Sequence, residues 1–207
     1  MDVYFVRHGR TDGNDAFRHQ HPNTKLNNLG KLQANHTAKL LKRYRPTYLI
    51  TSRYIRAVET ARVIGNECGL IPETYPAFAE LQRPEFLVGE RILGKTNVKY
   101  IIFWFLKIKS ASMHDGETYA DFTRRLAEAR RHLESLPENS RVVVVSHAVF
   151  INFFLEHMCR PREMSLWRAC IRIVKILLFK NTGIIHVRFL PVKAKSVCGW
   201  RVIHKTK

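Results

Sequence analysis

The sequence predicts an α/β fold, a three-layer α/β/α sandwich with a mainly parallel central sheet. The first observation is that short apolar runs alternate with amphipathic stretches of helical length along most of the chain. The second is that two of these runs, residues 3–6 and 142–145, contain no polar alternation. Strands buried on both faces of a parallel sheet have this character, and strand–helix alternation places helices on both faces of one sheet.

The first third of the chain contains two strands and two helices. Residues 3–6 form the first strand, and residues 29–43 carry leucines at helical spacing with lysines between them, which predicts an amphipathic helix. Residues 48–51 form a second strand. Residues 55–68 form a second helix, which Gly69 ends in a left-handed C-cap.

The rest of the chain continues this alternation and then changes to strands. The predicted elements are a strand at 71–75 leading to 78–81, a helix at 118–136 stopped by Pro137, a strand at 141–145 and a helix at 149–158. Three strands then follow at 171–179, 184–190 and 200–203. Residues 181–183, Asn-Thr-Gly, are predicted as a hairpin turn between the first two.

We expect residues 1–207 to form one domain, because the length suits a single core.

The stretch 83–115 breaks the alternation and is interpreted as an insertion or lid subregion. Within it, residues 100–106 are apolar all round and flanked by lysines, but they are much shorter than the about 20 residues of a membrane-spanning helix. Three interpretations stay open for this segment: a buried helix, a lid over the site, or an interfacial membrane contact.

The chain is strongly basic, with 35 Lys and Arg against 17 Asp and Glu and a net charge of +18. Residues 160–207 carry 12 of the basic residues and a single acidic one, Glu163. Such a field attracts anions. We therefore expect a phosphorylated small molecule or phosphoprotein as substrate, and an anionic surface or polyanion as a contact of the basic C-terminal region. Specific recognition of nucleic acid is not expected.

The four cysteines, at positions 68, 159, 170 and 198, have no metal-binding spacing. A structural zinc site is therefore not expected. The first residues lead directly into a strand without a signal segment. Unpatterned cysteines without such a signal favour a cytoplasmic location.

Two strands end in a histidine, about 140 residues apart along the chain. Arg7-His8-Gly9 follows the first strand, and Ser146-His147 follows the strand at 141–145. Glycine lets the backbone turn sharply and approach a ligand closely. Because ligands bind outside the carboxyl ends of strands in open α/β sheets, we expect both histidines at one site.

A third group reaches the same edge. Arg56 lies in the first turn of the helix that follows the strand 48–51. A cation is unfavourable at a helix N-terminus, where free N–H groups attract anions, and a bound anion relieves this conflict. The alternative is a surface arginine paired with Glu59.

Arg7, His8, Arg56 and His147 together suit phosphoryl chemistry. Arginine binds phosphoryl oxygens bidentately, a neutral imidazole can attack phosphorus, and a protonated second histidine can hold charge on the equatorial oxygens. We therefore expect neither a metal nor another cofactor. The leaving oxygen needs a proton from a carboxylic acid; Glu80 is the first candidate, with Glu85, Glu90 and Glu117 as rivals.

Five ordered motifs then resemble the histidine phosphatase superfamily, the phosphoglycerate mutase-like or RHG-motif proteins. They are Arg7-His8-Gly9-Arg10-Thr11-x-x-Asn14 (RHGxTxxN), residues 26–34 (LTxxGxxQA), Ser52-x-x-x-Arg56-Ala57-x-x-Thr60-Ala61 (SxxxRAxxTA), Gly116-Glu117-Thr118 (GES) and Val145-Ser146-His147-Ala148 (VSHG). The resemblance spans nearly the whole chain.

The resemblance implies that His8 is the nucleophile of a phosphohistidine intermediate, with Arg7, Arg56 and His147 around the phosphoryl group. It implies phosphate and pocket contacts for Arg10 and Asn14, and the proton-donor position for Glu80. Two departures occur. Ala148 replaces the usual glycine but keeps the backbone N–H for phosphate, and Asn27-Asn28 replaces the usual Leu-Thr pair.

The expected function is a metal-independent phosphatase that hydrolyses phosphomonoesters through a phosphohistidine on His8. One alternative is a cofactor-dependent phosphoglycerate mutase-type phosphotransferase that uses the same pocket. The other is a catalytically weak phospholigand-binding module. The physiological substrate cannot be read from the sequence.

Overall fold

The computed structural model describes residues 1–108, 115–159, 164, 166–191 and 198–205. Six strands occur in this part of the chain: β1 Asp2–Arg7, β2 Tyr48–Thr51, β3 Glu73–Thr74, β4 Arg141–Ser146, β5 Ile184–Phe189 and β6 Trp200–Lys205. They form one sheet in the order β3-β2-β4-β1-β5-β6. β1, β2, β3 and β4 pair in parallel, whereas β5 pairs antiparallel with both β1 and β6.

Helices connect the parallel strands. Those in the described residues are α1 Asp12–Asp15, α2 Asn28–Lys42, α3 Ile55–Cys68, α4 Lys95–Phe105, α5 Tyr119–Glu134, α6 Ala148–His157 and α7 Leu166–Leu178. Short 3-10 turns lie at Pro76–Phe78 and Glu85–Leu87. Gly69 ends α3 with a φ of 70°, the left-handed cap that the sequence predicts.

Alternate residues of the central strands face two separate cores. On β4, Val142 and Val144 pack with α5 and α6, whereas Val143 and Val145 pack with α2 and α3. Residues 142–145 are all fully buried, which explains why the strand reads as a continuous apolar run. The predicted three-layer sandwich with a mainly parallel sheet is confirmed.

The prediction of a strand at 171–179 is wrong, because these residues belong to α7. Their β-branched side chains favour a strand, but Ala169 and Ile176 pack against the core from one face of a helix. The predicted hairpin is wrong for the same reason, and residues 181–183 connect α7 to β5. The predicted strand at 71–75 is shortened to β3 and leads into a 3-10 turn.

The apolar segment 100–106 lies mostly in α4, which packs one face into the core. Tyr100 and Trp104 are each 3% exposed, and the Trp104 indole N–H donates to the Glu117 carbonyl at 2.8 Å. Ile102 and Leu106 are about half exposed. The segment is therefore buried on one side only, although it is apolar all round. Residues 109–114 of the stretch 83–115 lie outside the described residues.

The cysteines are not all unpaired. A disulfide joins Cys159, after α6, to Cys198, before β6, with 5.2 Å between their Cα atoms. Disulfides persist mainly in oxidising compartments, so the cysteines do not support the expected cytoplasmic location.

Among the described residues, no helix has the length and apolar character needed to cross a bilayer.

Candidate active site

The carboxyl ends of β1 and β4 lie side by side and bring the two predicted histidines together. Arg7 is the register partner of Ser146, so His8 and His147 leave the sheet at the same edge, with ring centroids 5.1 Å apart. β2 pairs with the other side of β4. Ser52 and the start of α3 therefore reach this edge as well.

His8 has the geometry of an oriented nucleophile. Its Nδ1 lies 2.7 Å from the Gly9 carbonyl oxygen, which can only accept, so Nδ1 carries the proton and Nε2 keeps its lone pair. The Arg56 Nε donates to that Nε2 at 3.3 Å. Burial, and then the charges of Arg56 and Arg7, hold the pKa of His8 well below its usual value. The imidazole is therefore neutral at pH 7.

Arg56 is buried inside the site, not paired with Glu59 on the surface. It is 4% exposed, and besides His8 it donates to the His21 carbonyl at 3.1 Å. Glu59 accepts from the Leu26 N–H instead. Burial lowers the pKa of Arg56 to about 10, opposed by the charge of Glu80. The guanidinium stays charged at pH 7.

Arg7 provides the second buried cation. One of its terminal nitrogens donates to the Phe179 carbonyl at the end of α7, whereas its buried Nε has no hydrogen-bond partner among the described residues. Burial lowers the pKa of Arg7 to about 10, again opposed by Glu80. The unused donor is available to an anion in the pocket.

His147 lies opposite His8 and is also kept neutral. It is fully buried, its Nε2 lies 2.7 Å from the Ser52 hydroxyl, and its Nδ1 has no partner among the described residues. Burial, and then Arg56, hold its pKa well below the usual value. Two arginines and a dry environment therefore disfavour the protonated second histidine that the sequence analysis expects.

The small residues of the motifs hold this constellation in place. The Thr60 hydroxyl accepts from the Gly9 N–H at 3.0 Å and donates to the Arg56 carbonyl at 2.7 Å. Glycine is required at position 30, where a Cβ would lie 2.1 Å from the Arg10 carbonyl oxygen. α2 can thus approach the loop after β1, and Gln33 accepts from the Arg10 N–H.

Glu80 lies at the N-terminus of α6, on the wall of the pocket. Its carboxylate accepts from the N–H groups of Val149 at 3.2 Å and Phe150 at 3.0 Å, where the helix dipole favours negative charge. Its charge also favours the protonated forms of both pocket arginines. The structure therefore brings Glu80 to the predicted site.

The rival carboxylates have other surroundings. Glu117 makes a bidentate ion pair with Arg125, with distances of 2.8 and 2.6 Å. Arg125 also donates to the carbonyls of Ala79 and Glu80, so this pair holds the segment that carries Glu80. Glu85 lines the cavity, whereas Glu90 is exposed outside its lining.

The remaining predicted residues also line the site. Arg10 pairs with Asp15, and the Asn14 side-chain oxygen accepts from the Asn181 amide at 3.1 Å. Ala148 is the first residue of α6, so its methyl is accommodated at the helix start. All three belong to the cavity wall.

The cavity measures about 820 Å³ and is much wider than the phosphoryl position alone. Three parts of its wall were not predicted from the sequence: the loop 17–22, residues 81–82, and the end of α7 with residues 176–181. Residues 83, 85, 87–88 and 92 also line the cavity, and they belong to the stretch 83–115 that the sequence analysis interprets as an insertion or lid. Asn181 also donates to the His8 carbonyl at 3.0 Å. Asn-Thr-Gly marks a turn, but no sequence signal indicates that this turn contacts β1.

Comparison with known proteins yields relatives and structural neighbours. "Probable phosphoglycerate mutase GpmB" of Yersinia pestis is 29% identical over 187 residues, covering 82% of this chain and 84% of the relative. The Proteus mirabilis protein of the same name is 28% identical over 159 residues, covering 75% of this chain and 73% of the relative.

Solved structures share the fold over almost the whole chain. A phosphoserine phosphatase from Entamoeba histolytica in complex with phosphoserine has a TM-score of 0.74 at 19% identity, covering 99% of this chain and 95% of that chain. A mycobacterial glucosyl-3-phosphoglycerate phosphatase has a TM-score of 0.72 at 20% identity, covering 97% and 96%. The family model for branch 1 of the histidine phosphatase superfamily matches residues 3–189, and the chain therefore belongs to that superfamily.

Proposed function

We propose that this protein is a phosphomonoesterase that works through a phosphohistidine on His8, without a metal ion. The observation that carries the proposal is the orientation of His8. Its Nδ1 is fixed on the Gly9 carbonyl, and its Nε2 lone pair lies beside the buried Arg56. A neutral, desolvated imidazole next to permanent cations is suited to attack an anionic phosphorus centre.

In the first step, the Nε2 lone pair of His8 forms a bond to phosphorus and the bond to the ester oxygen breaks. Arg7 and Arg56 neutralise the equatorial oxygens. The unpartnered Nδ1 of His147 is a further group beside them; it donates when the phosphoryl dianion raises its proton affinity. Entry of the phosphoryl dianion beside Glu80 favours the protonated acid, and the leaving oxygen takes this proton from Glu80 at the pocket wall.

In the second step, Glu80 as a carboxylate accepts a proton from water, and the water oxygen bonds to phosphorus. The bond between phosphorus and His8 breaks, and inorganic phosphate leaves with His8 neutral again. Water is the only co-reactant, so the cycle balances. Among the described residues, no group of three His, Cys, Asp or Glu side chains is arranged to hold a metal ion.

The mutase alternative is favoured by the printed names of the relatives, "Probable phosphoglycerate mutase". A mutase must keep its phosphoenzyme from hydrolysing while a small bisphosphate intermediate reorients in the pocket. A cavity of about 820 Å³ with exposed Phe17 and Val88 in its wall suits a larger leaving group than glycerate. The phosphatase names among the structural neighbours agree with hydrolysis.

The test is a hydrolysis panel of sugar phosphates, glycerate phosphates, nucleotides and phosphopeptides, each with and without EDTA. We expect phosphate release that EDTA does not change, and an acid-labile, base-stable phosphoryl group on the enzyme after brief reaction with labelled substrate. Isomerisation of 3-phosphoglycerate faster than any hydrolysis would favour the mutase. Tight phospholigand binding without turnover would favour the binding module.

A further inference from the structure

The outer face of α7 carries large apolar side chains that the described chain leaves exposed. They are Trp167, Ile171, Val174 and Leu178, here called the α7 stripe, with 74%, 39%, 54% and 75% of their surface exposed. Spacings of 4, 3 and 4 residues place them along one side of the helix. Ala169 and Ile176 contact the core from the opposite side, so the stripe is not the core face of α7.

An exposed apolar stripe with a tryptophan indicates an interaction surface. Single exposed leucines are ordinary on soluble proteins, but contiguous apolar patches mark sites for a protein, a ligand or a membrane. α7 has both of its faces apolar, and only one is used inside the fold. The outer face is therefore a candidate interaction surface.

The charges around the stripe indicate that this partner is anionic. α7 contains no acidic residue, and the chain after Glu163 contains none. Lys175 and Lys180 are exposed beside the stripe, whereas Arg168 is paired with Glu156. A helix with an apolar face, an aromatic residue and flanking cations is typical of a helix that lies in the surface of an anionic bilayer.

A second copy of this chain fits the stripe less well. A twofold dimer across α7 would bring the exposed Lys175 side chains of both copies into one interface, and α7 offers no acid to pair with them. Like charges across an interface cost binding free energy. An anionic lipid surface removes this conflict.

The stripe also leads to the pocket. Leu178 belongs to the stripe and lines the cavity together with Leu177. Phe17 and Val88 are 65% and 42% exposed and line the same cavity. The floor of the pocket is thus cationic and its rim is apolar, which suits a phosphate group attached to an apolar chain.

We propose that the α7 stripe docks on an anionic bilayer, where the pocket hydrolyses phosphomonoesters carried by lipids. The substrate class rests on the proposed function, whereas the docking does not. The reaction is the two-step hydrolysis described above: the lipid oxygen leaves with a proton from Glu80, water receives the phosphoryl group, and the products are a lipid alcohol and inorganic phosphate.

Docking is tested with the combined variant Trp167→Ser, Ile171→Ser and Val174→Ser, which leaves the cavity lining intact. The probes are vesicles of phosphatidylcholine alone and of phosphatidylcholine mixed with phosphatidylglycerol. We expect the wild type to bind the mixed vesicles and the variant to bind about tenfold more weakly or worse. Trp104 and Trp200 are buried, so a blue shift of emission on binding reports on Trp167.

The matched control replaces three exposed apolar residues elsewhere, Leu29→Ser, Leu32→Ser and Ile71→Ser, and should bind like the wild type. Docking is overturned if the wild type does not bind the mixed vesicles, or if the stripe variant binds as tightly as the wild type. It is also overturned if the wild type is a dimer in solution that the stripe variant converts to monomers, without binding to vesicles.

Substrate class is tested by comparing phosphatidic acid in mixed vesicles with para-nitrophenyl phosphate in solution. We expect the stripe variant to lose about tenfold or more in rate on the vesicle substrate and nothing on the soluble one. Hydrolysis of the soluble ester alone by the wild type would overturn the lipid substrate class. Failure on both esters would instead count against the proposed phosphatase function, while vesicle binding still decides the docking.

Discussion

At the residue scale, the pocket keeps its imidazoles neutral and its guanidinium groups charged. Burial lowers the pKa of His8 and His147 far enough to remove their charge, but lowers the pKa of Arg7 and Arg56 only to about 10. A nucleophile with a free lone pair thus coexists with two cations. This is the charge distribution that attack on a phosphate dianion requires.

His8→Ala should abolish turnover and leave the fold intact. The variant has no atom that can form the phosphoenzyme, so we expect kcat/KM to fall by several orders of magnitude. The exposed His36 on α2 provides the control, and His36→Ala should retain wild-type turnover. Phosphate release and circular dichroism check both variants. Substantial turnover by a folded His8→Ala protein would contradict the mechanism.

Glu80→Gln should slow the enzyme in a manner that depends on the leaving group. An alkyl phosphate needs a proton on its leaving oxygen, so we expect a loss of about 10²–10⁴-fold, whereas an activated aryl phosphate should lose little. The amide oxygen still accepts from the start of α6, so the local structure should survive. Glu85→Gln, in the same cavity wall, is the control. Equal losses on both esters would direct attention to Glu85.

At the element scale, periodicity predicted most elements but not all of their identities. α2 and α3 have one core face and leucine or alanine at helical spacing, and the sequence predicts them nearly to the residue. α7 was missed because Ile171, Ile173 and Val174 favour strands by propensity. The helical period was nevertheless present, because Arg168, Arg172 and Lys175 recur on one flank of α7 at spacings of 4 and 3 residues.

α4 illustrates the opposite difficulty, because its buried face is set by tertiary contacts. Trp104 packs among the rings of Tyr119, Phe122 and Phe153. Tyr119 and Phe122 lie on α5, and Phe153 lies on α6. A short apolar run cannot reveal which of its side chains meets such a cluster.

Trp104→Ala should therefore destabilise the fold without changing substrate selectivity. Loss of a buried indole leaves a cavity and an unpaired Glu117 carbonyl, so the free energy of unfolding should fall by about 3–5 kcal/mol. Urea unfolding and the ratio of kcat/KM for bulky and small phosphomonoesters provide the measurements. Ile102→Ala, on the exposed side of the same helix, should change the unfolding free energy by only about 0.5 kcal/mol. An altered selectivity in Trp104→Ala would instead support the interpretation of residues 100–106 as a lid over the site.

At the scale of the whole molecule, the site depends on contacts between distant parts of the chain. The composition favours an anionic ligand, which stays a prediction, and the motifs identify residues that the fold brings together in the pocket. The contact of Asn181 with the His8 carbonyl, and that of Arg7 with Phe179, join residues about 170 positions apart. The pairing of Cys159 with Cys198 is of the same kind. No local pattern encodes such pairs, because the fold alone sets them.

The net charge of +18 should make capture of anionic substrates sensitive to salt. The Debye length shrinks from about 10 Å at 0.1 M salt to about 3 Å at 1 M, so kcat/KM for a highly charged soluble substrate should fall while kcat changes much less. Charge reversal at Arg201, Lys193 and Lys195 should flatten this dependence; the two lysines lie outside the described residues. An unchanged salt response in that variant would remove the C-terminal charges from substrate capture.

The buried histidines should make the protein less stable as the pH falls through about 6.5. Burial holds the pKa of His8, His147 and His157 below the usual value, and lowers that of His19 to about 3. Below about pH 6.5 the unfolded chain therefore binds protons that the folded chain does not, and the free energy of unfolding falls as the pH falls.

Urea unfolding between about pH 8 and pH 5 tests this dependence above the range where most carboxylates titrate. We expect a flat region at the alkaline end and a progressive loss of stability below about pH 6.5. His19→Gln should reduce the slope, because it removes one proton-binding difference. A stability that is constant or increases toward pH 5 would mean that these imidazoles are protonated in the folded protein, and His8 would then lack the free lone pair on which the proposed chemistry depends.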